Sequence, residues 1–332
     1  MQKNFLSLTS VAKTNRIIEK IPFGDVFLAK KGSALILVAA VLWGTAGIFV
    51  KQLAAYGISP MSIVAFRCTF TALLMGVLLA IKNPGGFKIH LRDLYLFIAN
   101  GIFSIVMFNY CYYKTMELST LSVAAILLYT APIFVMIISV LFLGEKISVL
   151  KVAALVTAFL GCAFVTGVVG SAIRISAAAL VYGLFTGLGY ALYTIFGNRL
   201  ILRGYDTYCI IFYTFVFASV GSVALAAANG QVAQLRFEPS VWMWALLMAI
   251  FNTVLPYILY TNGLRLVSAS TAPIIATVEP VAATVVGLFY GEKLTVFGII
   301  GVVLVLLSVL ILNVKGGEKS GRQSVRENQS DA

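Results

Sequence analysis

The hydrophobic positions of the chain fall into ten long runs that short polar stretches separate. A helix that crosses about 30 Å of hydrocarbon needs roughly 20 apolar residues, and each run approaches or exceeds that length. Backbone groups in lipid must pair within the chain, so the runs predict helices rather than an open sheet. The predicted transmembrane helices cover residues 33–53, 61–81, 93–113, 121–143, 147–168, 176–198, 207–228, 240–262, 268–290 and 294–314.

Composition supports an all-α integral membrane protein over a soluble one. The chain is 61% hydrophobic and only 11% charged, whereas soluble domains are about one quarter charged. The net charge of +12 is spread over loops and tails, so no nucleic-acid partner is predicted. The cysteines lie within apolar runs and lack the spacing of metal ligands, which predicts neither a disulfide framework nor a metal site. They are Cys68, Cys111, Cys162 and Cys209.

The lysines and arginines of the loops indicate how the chain is oriented across the membrane. They concentrate in the two tails and in the loops on the same side as the tails, such as 82–92. Because basic loops remain in the cytoplasm, both termini are predicted to be cytoplasmic. Residues 1–32 form a basic tail and residues 315–332 a polar one. No apolar stretch with a cleavage site follows the first basic residues, so a signal peptide is not predicted. Pro22 and Gly24 are expected to interrupt any helix before the first run.

An internal repeat divides the chain into two five-helix repeats, 33–168 and 176–314. A shift of 147 residues brings the Phe-x-Gly-Glu-Lys motif at 142–146 onto 289–293, and a shift of 148 brings Pro132 onto Pro280. Five is an odd number, so the second repeat is predicted to be inverted relative to the first. Inverted repeats are typical of transporters, in which two similar halves rock about a site between them. A duplication kept only for packing is the alternative.

Several motifs in this order resemble the EamA-type family of the drug/metabolite transporter superfamily. They are "LWG" at 42–44, Arg67, "YTAP" at 129–132, "LGEK" at 143–146, "EP" at 279–280 and "YGEK" at 290–293. The resemblance covers about 33–314 and implies a ten-helix carrier of small metabolites in a bacterial inner membrane. Such carriers commonly move amino acids or related compounds outward. The long N-terminal tail departs from a minimal member of the family.

Glu279 lies about halfway along its predicted span, directly before Pro280. An acid at that depth is costly, so it is a functional candidate by default. Surroundings of low polarity disfavour the charged form of a carboxyl group, so Glu279 could bind and release a proton and couple transport to protons. A structural role is the alternative. Pro280 cannot donate to the carbonyl of Ala276, and a protonated glutamate could bond to the groups freed there.

Arg67 is the other charge within a predicted span. It lies about two turns from the external end of its helix, and its long stem could carry the guanidinium outward to the interface. Pairing with Glu279 or with a carboxylate of the substrate is the sharper hypothesis. The residue 147 positions later is Thr214, so the arginine has no counterpart in the second repeat.

Prolines and aromatic residues mark the candidate site near the midplane. Pro132 in the fourth span, and Pro273 with Pro280 in the ninth, are predicted hinges, because broken helices at matching places often flank the site of a carrier. Polar and aromatic side chains near that depth suit an organic solute with one or two polar groups, although packing alone could also explain them. The candidates are Trp43, Asn109, Tyr129, Tyr190, Tyr193, Asn252 and Tyr257.

The predicted function is a secondary transporter that exports a small amphipathic metabolite by alternating access, with proton coupling as an option. Import of a small organic nutrient, such as an amine or a nucleotide-sugar-like solute, is the alternative. An intramembrane enzyme or a scaffold is a remote one, since no phosphate loop or nucleophile motif occurs. No cofactor is predicted. The Gly183-x-x-x-Gly187 pattern would permit a homodimer but favours internal packing.

Overall fold

A computed structural model describes residues 23–169, 175–231, 238–291 and 295–314, and every regular element in those ranges is helical. Residues 1–22 of the predicted basic tail, the predicted tail at 315–332 and the Glu-Lys pair at 292–293 lie outside the described residues. The prediction of an all-helical membrane protein is confirmed.

Eight helices of the described chain are long and apolar enough to cross a membrane. They are Phe27–Ala55, Pro60–Lys82, Leu91–Leu118, Leu121–Leu143, Ala177–Leu202, Thr207–Ala228, Pro239–Leu264 and Ala272–Phe289. The fifth and tenth predicted spans appear as shorter apolar helices, Val149–Val165 and Val296–Leu312. We number all ten in chain order as spans below.

The first span begins earlier than predicted. Its first helix is Phe23–Gly44, so residues 23–32, which the predicted tail includes, are helical. The expected interruption at Gly24 is therefore wrong, whereas Pro22 lies outside the described residues. A glycine in the first turn lowers helix stability by only about 1 kcal/mol.

Three spans of the described chain are divided into two helices by a short turn. The divisions fall between Phe23–Gly44 and Ala46–Ala55, between Leu121–Leu128 and Ala131–Leu143, and between Ala272–Ala276 and Glu279–Phe289. At each turn a threonine hydroxyl donates to the carbonyl three residues earlier, at 2.6 Å. The hydroxyls of Thr45, Thr130 and Thr277 thus add a second donor to carbonyls that already accept a hydrogen bond from the backbone N–H of the same threonine.

Two spans contain a segment of π-helix at matching places. Ile102–Met107 lies in the third span and Ile250–Val254 in the eighth, so their starts are 148 residues apart. A π turn holds one residue more than an α turn and often occurs at functional sites. These segments shift the faces of the helices that follow, Phe108–Leu118 and Leu255–Leu264.

The helices of the two predicted repeats pack in a reciprocal pattern. The second span packs against the seventh, and the fifth against the tenth. The sixth span packs on the third and fourth, while the first span packs on the eighth and ninth. Glycines permit close contact between the fifth and tenth, since a Cβ on Gly161 would lie 3.0 Å from the carbonyl oxygen of Gly301.

Candidate functional site

A cavity of about 10 Å³ lies where the first, third, sixth and eighth spans meet. Four of the predicted site residues, Trp43, Tyr190, Tyr193 and Tyr257, line it. The other lining residues are Ser104, Phe108, Thr194 and Tyr260. A site for an organic molecule usually has a volume of about 300 Å³ or more, so the helices must separate before a metabolite can enter.

The aromatic rings around the cavity form one connected cluster. The ring of Trp43 lies 5.4 Å from that of Tyr257 and 5.3 Å from that of Tyr260, between centroids. Tyr193 meets Tyr257 edge to face at 4.8 Å. Such pairs contribute about 0.5–1.5 kcal/mol each beyond the area they bury. The cluster therefore fixes the wall of the cavity while presenting apolar faces to it.

Hydrogen bonds hold several polar groups of this wall. The hydroxyl of Tyr193 bonds with Thr261 Oγ1 at 2.8 Å, and that of Tyr260 bonds with Thr194 Oγ1 at 2.7 Å. Within the described chain, no hydrogen bond to another side chain holds the hydroxyl of Tyr257. The wall thus contains two tyrosines whose hydroxyls are held by threonines.

Glu279 begins the second helix of the ninth span, directly after the turn at Thr277. Its backbone is closely packed, because a Cβ on Gly44 would lie 2.7 Å from the carbonyl oxygen of Glu279. Its carboxyl group lies in electrostatic range of four tyrosines, and two of these line the cavity. They are Tyr112, Tyr129, Tyr190 and Tyr257.

The surroundings of Glu279 bear on the structural alternative. Among the described residues, no hydrogen bond or ion pair engages its carboxyl group. The carbonyl of Ile274 accepts a hydrogen bond from the hydroxyl of Thr277. The structural role proposed for Glu279 concerns the carbonyl of Ala276, to which Pro280 cannot donate, so it stays an alternative.

Arg67 points inward to Asn109 instead of outward to the interface. Its Nη2 donates to Asn109 Oδ1 at 3.1 Å, and Asn109 Nδ2 donates to the carbonyl of Ile105 at 2.7 Å. The Nε of Arg67 is buried and has no hydrogen-bond partner in the described chain. No ion pair joins Arg67 to Glu279 among those residues, and the pairing of Arg67 with Glu279 or with a carboxylate of the substrate stays a prediction. Tyr257 lies in electrostatic range of both.

Asn252 lies in the π segment of the eighth span, and Tyr129 lies at the turn of the fourth span. Asn252 Nδ2 donates to the carbonyls of Leu42 and Trp43 at 3.0 and 3.2 Å, so its amide holds the turn that positions the Trp43 ring. Tyr129 is buried at the turn of the fourth span.

The three predicted hinge prolines all occupy first turns of helices. Pro132 lies in Ala131–Leu143, Pro273 in Ala272–Ala276 and Pro280 in Glu279–Phe289. Proline is well tolerated there, because the first backbone N–H groups of a helix have no partner within it. Their role as hinges stays a prediction.

Sequence reasoning missed half of the cavity wall. Tyr260 follows Tyr257 by one helical turn and therefore shares its face, which is the signal that could have found it. Ser104 lies within the first π segment, and no sequence pattern marked that segment in advance. Sequence reasoning also missed the turn at Thr45. A threonine followed by a small or β-branched residue is common to all three turns, at Thr45, Thr130 and Thr277, and is the signal that could have found it.

Polar contacts join the two predicted repeats at both ends of the molecule. At one end, Asp93 bonds with Arg203 and accepts a hydrogen bond from the hydroxyl of Tyr205 at 2.7 Å. Burial, together with this hydrogen bond, raises the pKa of Tyr205, so the phenol keeps its proton. At the other end, Ser59 donates to Gln231 Oε1 at 2.9 Å.

The Gly183 and Gly187 face is covered within the chain. A Cβ on Gly183 would lie 2.1 Å from the side chain of Leu127, and one on Gly187 would lie 2.1 Å from Thr130 Oγ1. Both glycines therefore serve the packing of the sixth span against the fourth.

Comparison with known proteins identifies one family. A model of the EamA-like transporter family matches residues 30–167 and again residues 177–314. An uncharacterized transporter of Archaeoglobus fulgidus is 28% identical over 84% of this chain and 95% of its own length. The uncharacterized transporter YxxF of Bacillus subtilis is 24% identical over 91% of this chain and 95% of its own.

Further similarity extends to an inner-membrane protein and to a solved structure. The uncharacterized inner membrane transporter YicL of Salmonella typhimurium is 23% identical over 86% of this chain and 96% of its own. A protein of known crystal structure superposes with a TM-score of 0.73 at 14% identity, covering 86% of this chain and 98% of that one. The latter match supports the fold alone.

Proposed function

The chain belongs to the EamA-like transporter family, and from this we propose that it is a secondary transporter that exports a small amphipathic metabolite. Amino acids and related compounds are the favoured class. The observation that carries the proposal is the aromatic cavity between the two repeats, with the carboxyl group of Glu279 in electrostatic range of two tyrosines that line it. Alternating access would open this cavity to each side in turn.

The architecture that we propose is ten transmembrane helices in two inverted repeats, 33–168 and 176–314. It requires the shorter apolar helices, Val149–Val165 and Val296–Leu312, to span the membrane as well. Three observations support it: the family matches the chain twice, the π segments lie 148 residues apart, and the packing of the spans is reciprocal.

We place the protein in a bacterial inner membrane with both termini in the cytoplasm. The support is the excess of lysine and arginine in the tails and in the loops on their side. The bilayer and a small-molecule substrate are then its partners.

Glu279 is the proposed proton carrier. Surroundings of low polarity disfavour the charged form of a carboxyl group, unless a nearby cation neutralises the charge. Such a group can bind and release a proton during the transport cycle. In the described part of the chain no ion pair joins Arg67 to Glu279, and Tyr190 and Tyr257, which line the cavity, lie in electrostatic range of the acid. Protonation of Glu279 in one state and release in the other would drive the solute outward.

Flux in liposomes tests the transport function. Purified protein is reconstituted into liposomes that are loaded with unlabelled solute, and uptake of labelled amino acids and related metabolites is measured by counterflow. Liposomes without protein are the control. We expect at least one solute to exchange several-fold faster with protein than without. Exchange of every solute at the protein-free rate would contradict the proposal.

A further inference from the structure

We propose that Arg67 and Asn109 form a subsite for a carboxylate of the transported solute. The substrate class is then a small carboxylate with an apolar body. This inference rests on the proposed transport function and adds to it the chemistry of one end of the site.

Unused hydrogen-bonding capacity at Arg67 is the first observation. A guanidinium carries five N–H donors, and one bond, to Asn109 Oδ1, is formed to a strong acceptor. The thiol of Cys68, a weak acceptor, is a further neighbour, and the phenols of Tyr113 and Tyr257 lie in electrostatic range. Nε is buried without a partner in the described chain. A buried donor left unpaired carries a free-energy cost, and that cost is larger when the donor is charged. An anionic group that reaches this guanidinium would relieve that cost.

The orientation of the guanidinium is the second observation. Asn109 is 6% exposed and is itself fixed, because its Nδ2 donates to the carbonyl of Ile105 in the first π segment. Its Oδ1 therefore faces Arg67 and holds the arginine in place. Asn109 is a positioning residue in this arrangement. A planar, oriented guanidinium is suited to bind a carboxylate through two parallel hydrogen bonds.

The location of the pair is the third observation. Asn109 directly follows Phe108, and Tyr257 lies in electrostatic range of Arg67, while Phe108 and Tyr257 both line the cavity. A shift of 148 residues brings Asn109 onto Tyr257, so each follows the π segment of its own repeat. A solute with its carboxylate at Arg67 would thus place its apolar body among the aromatic rings.

The two charged residues then have separate tasks. Arg67 comes from the first repeat and Glu279 from the second, and neither neutralises the other among the described residues. A carboxylate bound at Arg67 leaves Glu279 free to carry a proton. An internal Arg67–Glu279 pair would have occupied both.

Matched probes that differ in the carboxylate test the proposal. The melting temperature of the purified protein is titrated with phenylalanine, 3-phenylpropionate and phenylalaninamide, and with leucine and leucinamide. We expect the acids to stabilise the wild-type protein and the amides to do so weakly. Arg67→Gln should weaken binding of the acids by about tenfold or more, as loss of a charged hydrogen bond implies. Amide binding should stay within about twofold.

Further variants separate binding from folding. Arg67→Lys keeps the charge and should retain part of the affinity for the acids, even if Arg67→Gln folds poorly. Lys114→Gln is the matched control: it removes a half-exposed cation that pairs with Glu117 at the end of the same cavity-lining third span, and should leave binding unchanged. Asn109→Ala should weaken acid binding less than Arg67→Gln does.

Three outcomes would overturn the subsite: equal stabilisation by an acid and its amide, acid binding that Arg67→Gln leaves intact, or no stabilisation by any acid. The result is distinct from that of the flux experiment. Arg67-dependent binding without flux would contradict the transport function alone, whereas flux with acid binding independent of Arg67 would contradict the subsite alone.

Discussion

The fourth and ninth spans are divided at corresponding places, yet their chemistry differs. In each, a threonine hydroxyl donates at 2.6 Å to the carbonyl three residues earlier, and a proline lies in the first turn of the next helix. The residue that begins this next helix is Ala131 in the fourth span and Glu279 in the ninth. The backbone geometry is shared, and the charge is not. We therefore interpret the divided helices as scaffold and the glutamate as the functional addition.

The starts of the two spans differ as well. Thr120 caps the fourth span from within, accepting a hydrogen bond from the backbone N–H of Val123 at 3.2 Å. The turn before the ninth span is held from the other repeat, because the carboxylate of Glu145 accepts hydrogen bonds from the N–H of Ala269 at 2.8 Å and the hydroxyl of Ser270. These contacts hold the start of the ninth span to the first repeat.

Removing the carboxylate of Glu145 should have the largest effect on stability. Glu145→Ala leaves buried groups of Ala269 and Ser270 without an acceptor and takes a carboxylate from the buried Lys151, 3.8 Å away. We expect a loss of about 3 kcal/mol in the free energy of unfolding, measured by denaturant titration in micelles.

The cap of the fourth span supplies the control for Glu145. Thr120→Val removes a local cap and should cost about 1 kcal/mol. Glu145→Gln keeps an acceptor and should fall between the two. Equal losses for Glu145→Ala and Thr120→Val would show that the two starts do not differ in the way described.

The threonines at the turns should show a smaller and matched effect. Thr130→Val and Thr277→Val each remove one hydrogen bond while keeping the shape of the side chain, so each should cost about 0.5–1 kcal/mol. The same denaturant titration measures both. If only one of the two variants lost stability, the turns of the fourth and ninth spans would not be equivalent.

Much of the fold was predictable because lipid imposes simple rules. The length of the apolar runs located the spans, and the motif at 142–146 revealed the repeat. The start at Phe23 was not predicted, because loop and helix are hard to separate where basic residues flank an apolar run. The π segments were also not predicted, since they depend on the packing of the third and eighth spans and leave no pattern in the sequence.

The candidate site was predictable in composition but not in arrangement. Trp43, Tyr190, Tyr193 and Tyr257 do line one cavity. Sequence alone could not show that Asn252 bonds to backbone carbonyls or that Arg67 contacts Asn109. Such contacts join residues far apart in the chain, and their geometry depends on how the repeats pack.

The response of Glu279→Gln to a proton gradient tests the central claim most directly. Wild-type protein and variant are reconstituted, and flux of the solute that exchanges fastest is measured with and without an imposed pH gradient. Glu117→Gln is the control, because that acid is exposed at the end of the third span. We predict that the gradient accelerates flux by wild type and by Glu117→Gln, whereas Glu279→Gln exchanges solute without any acceleration. Acceleration of Glu279→Gln equal to that of wild type would contradict the account.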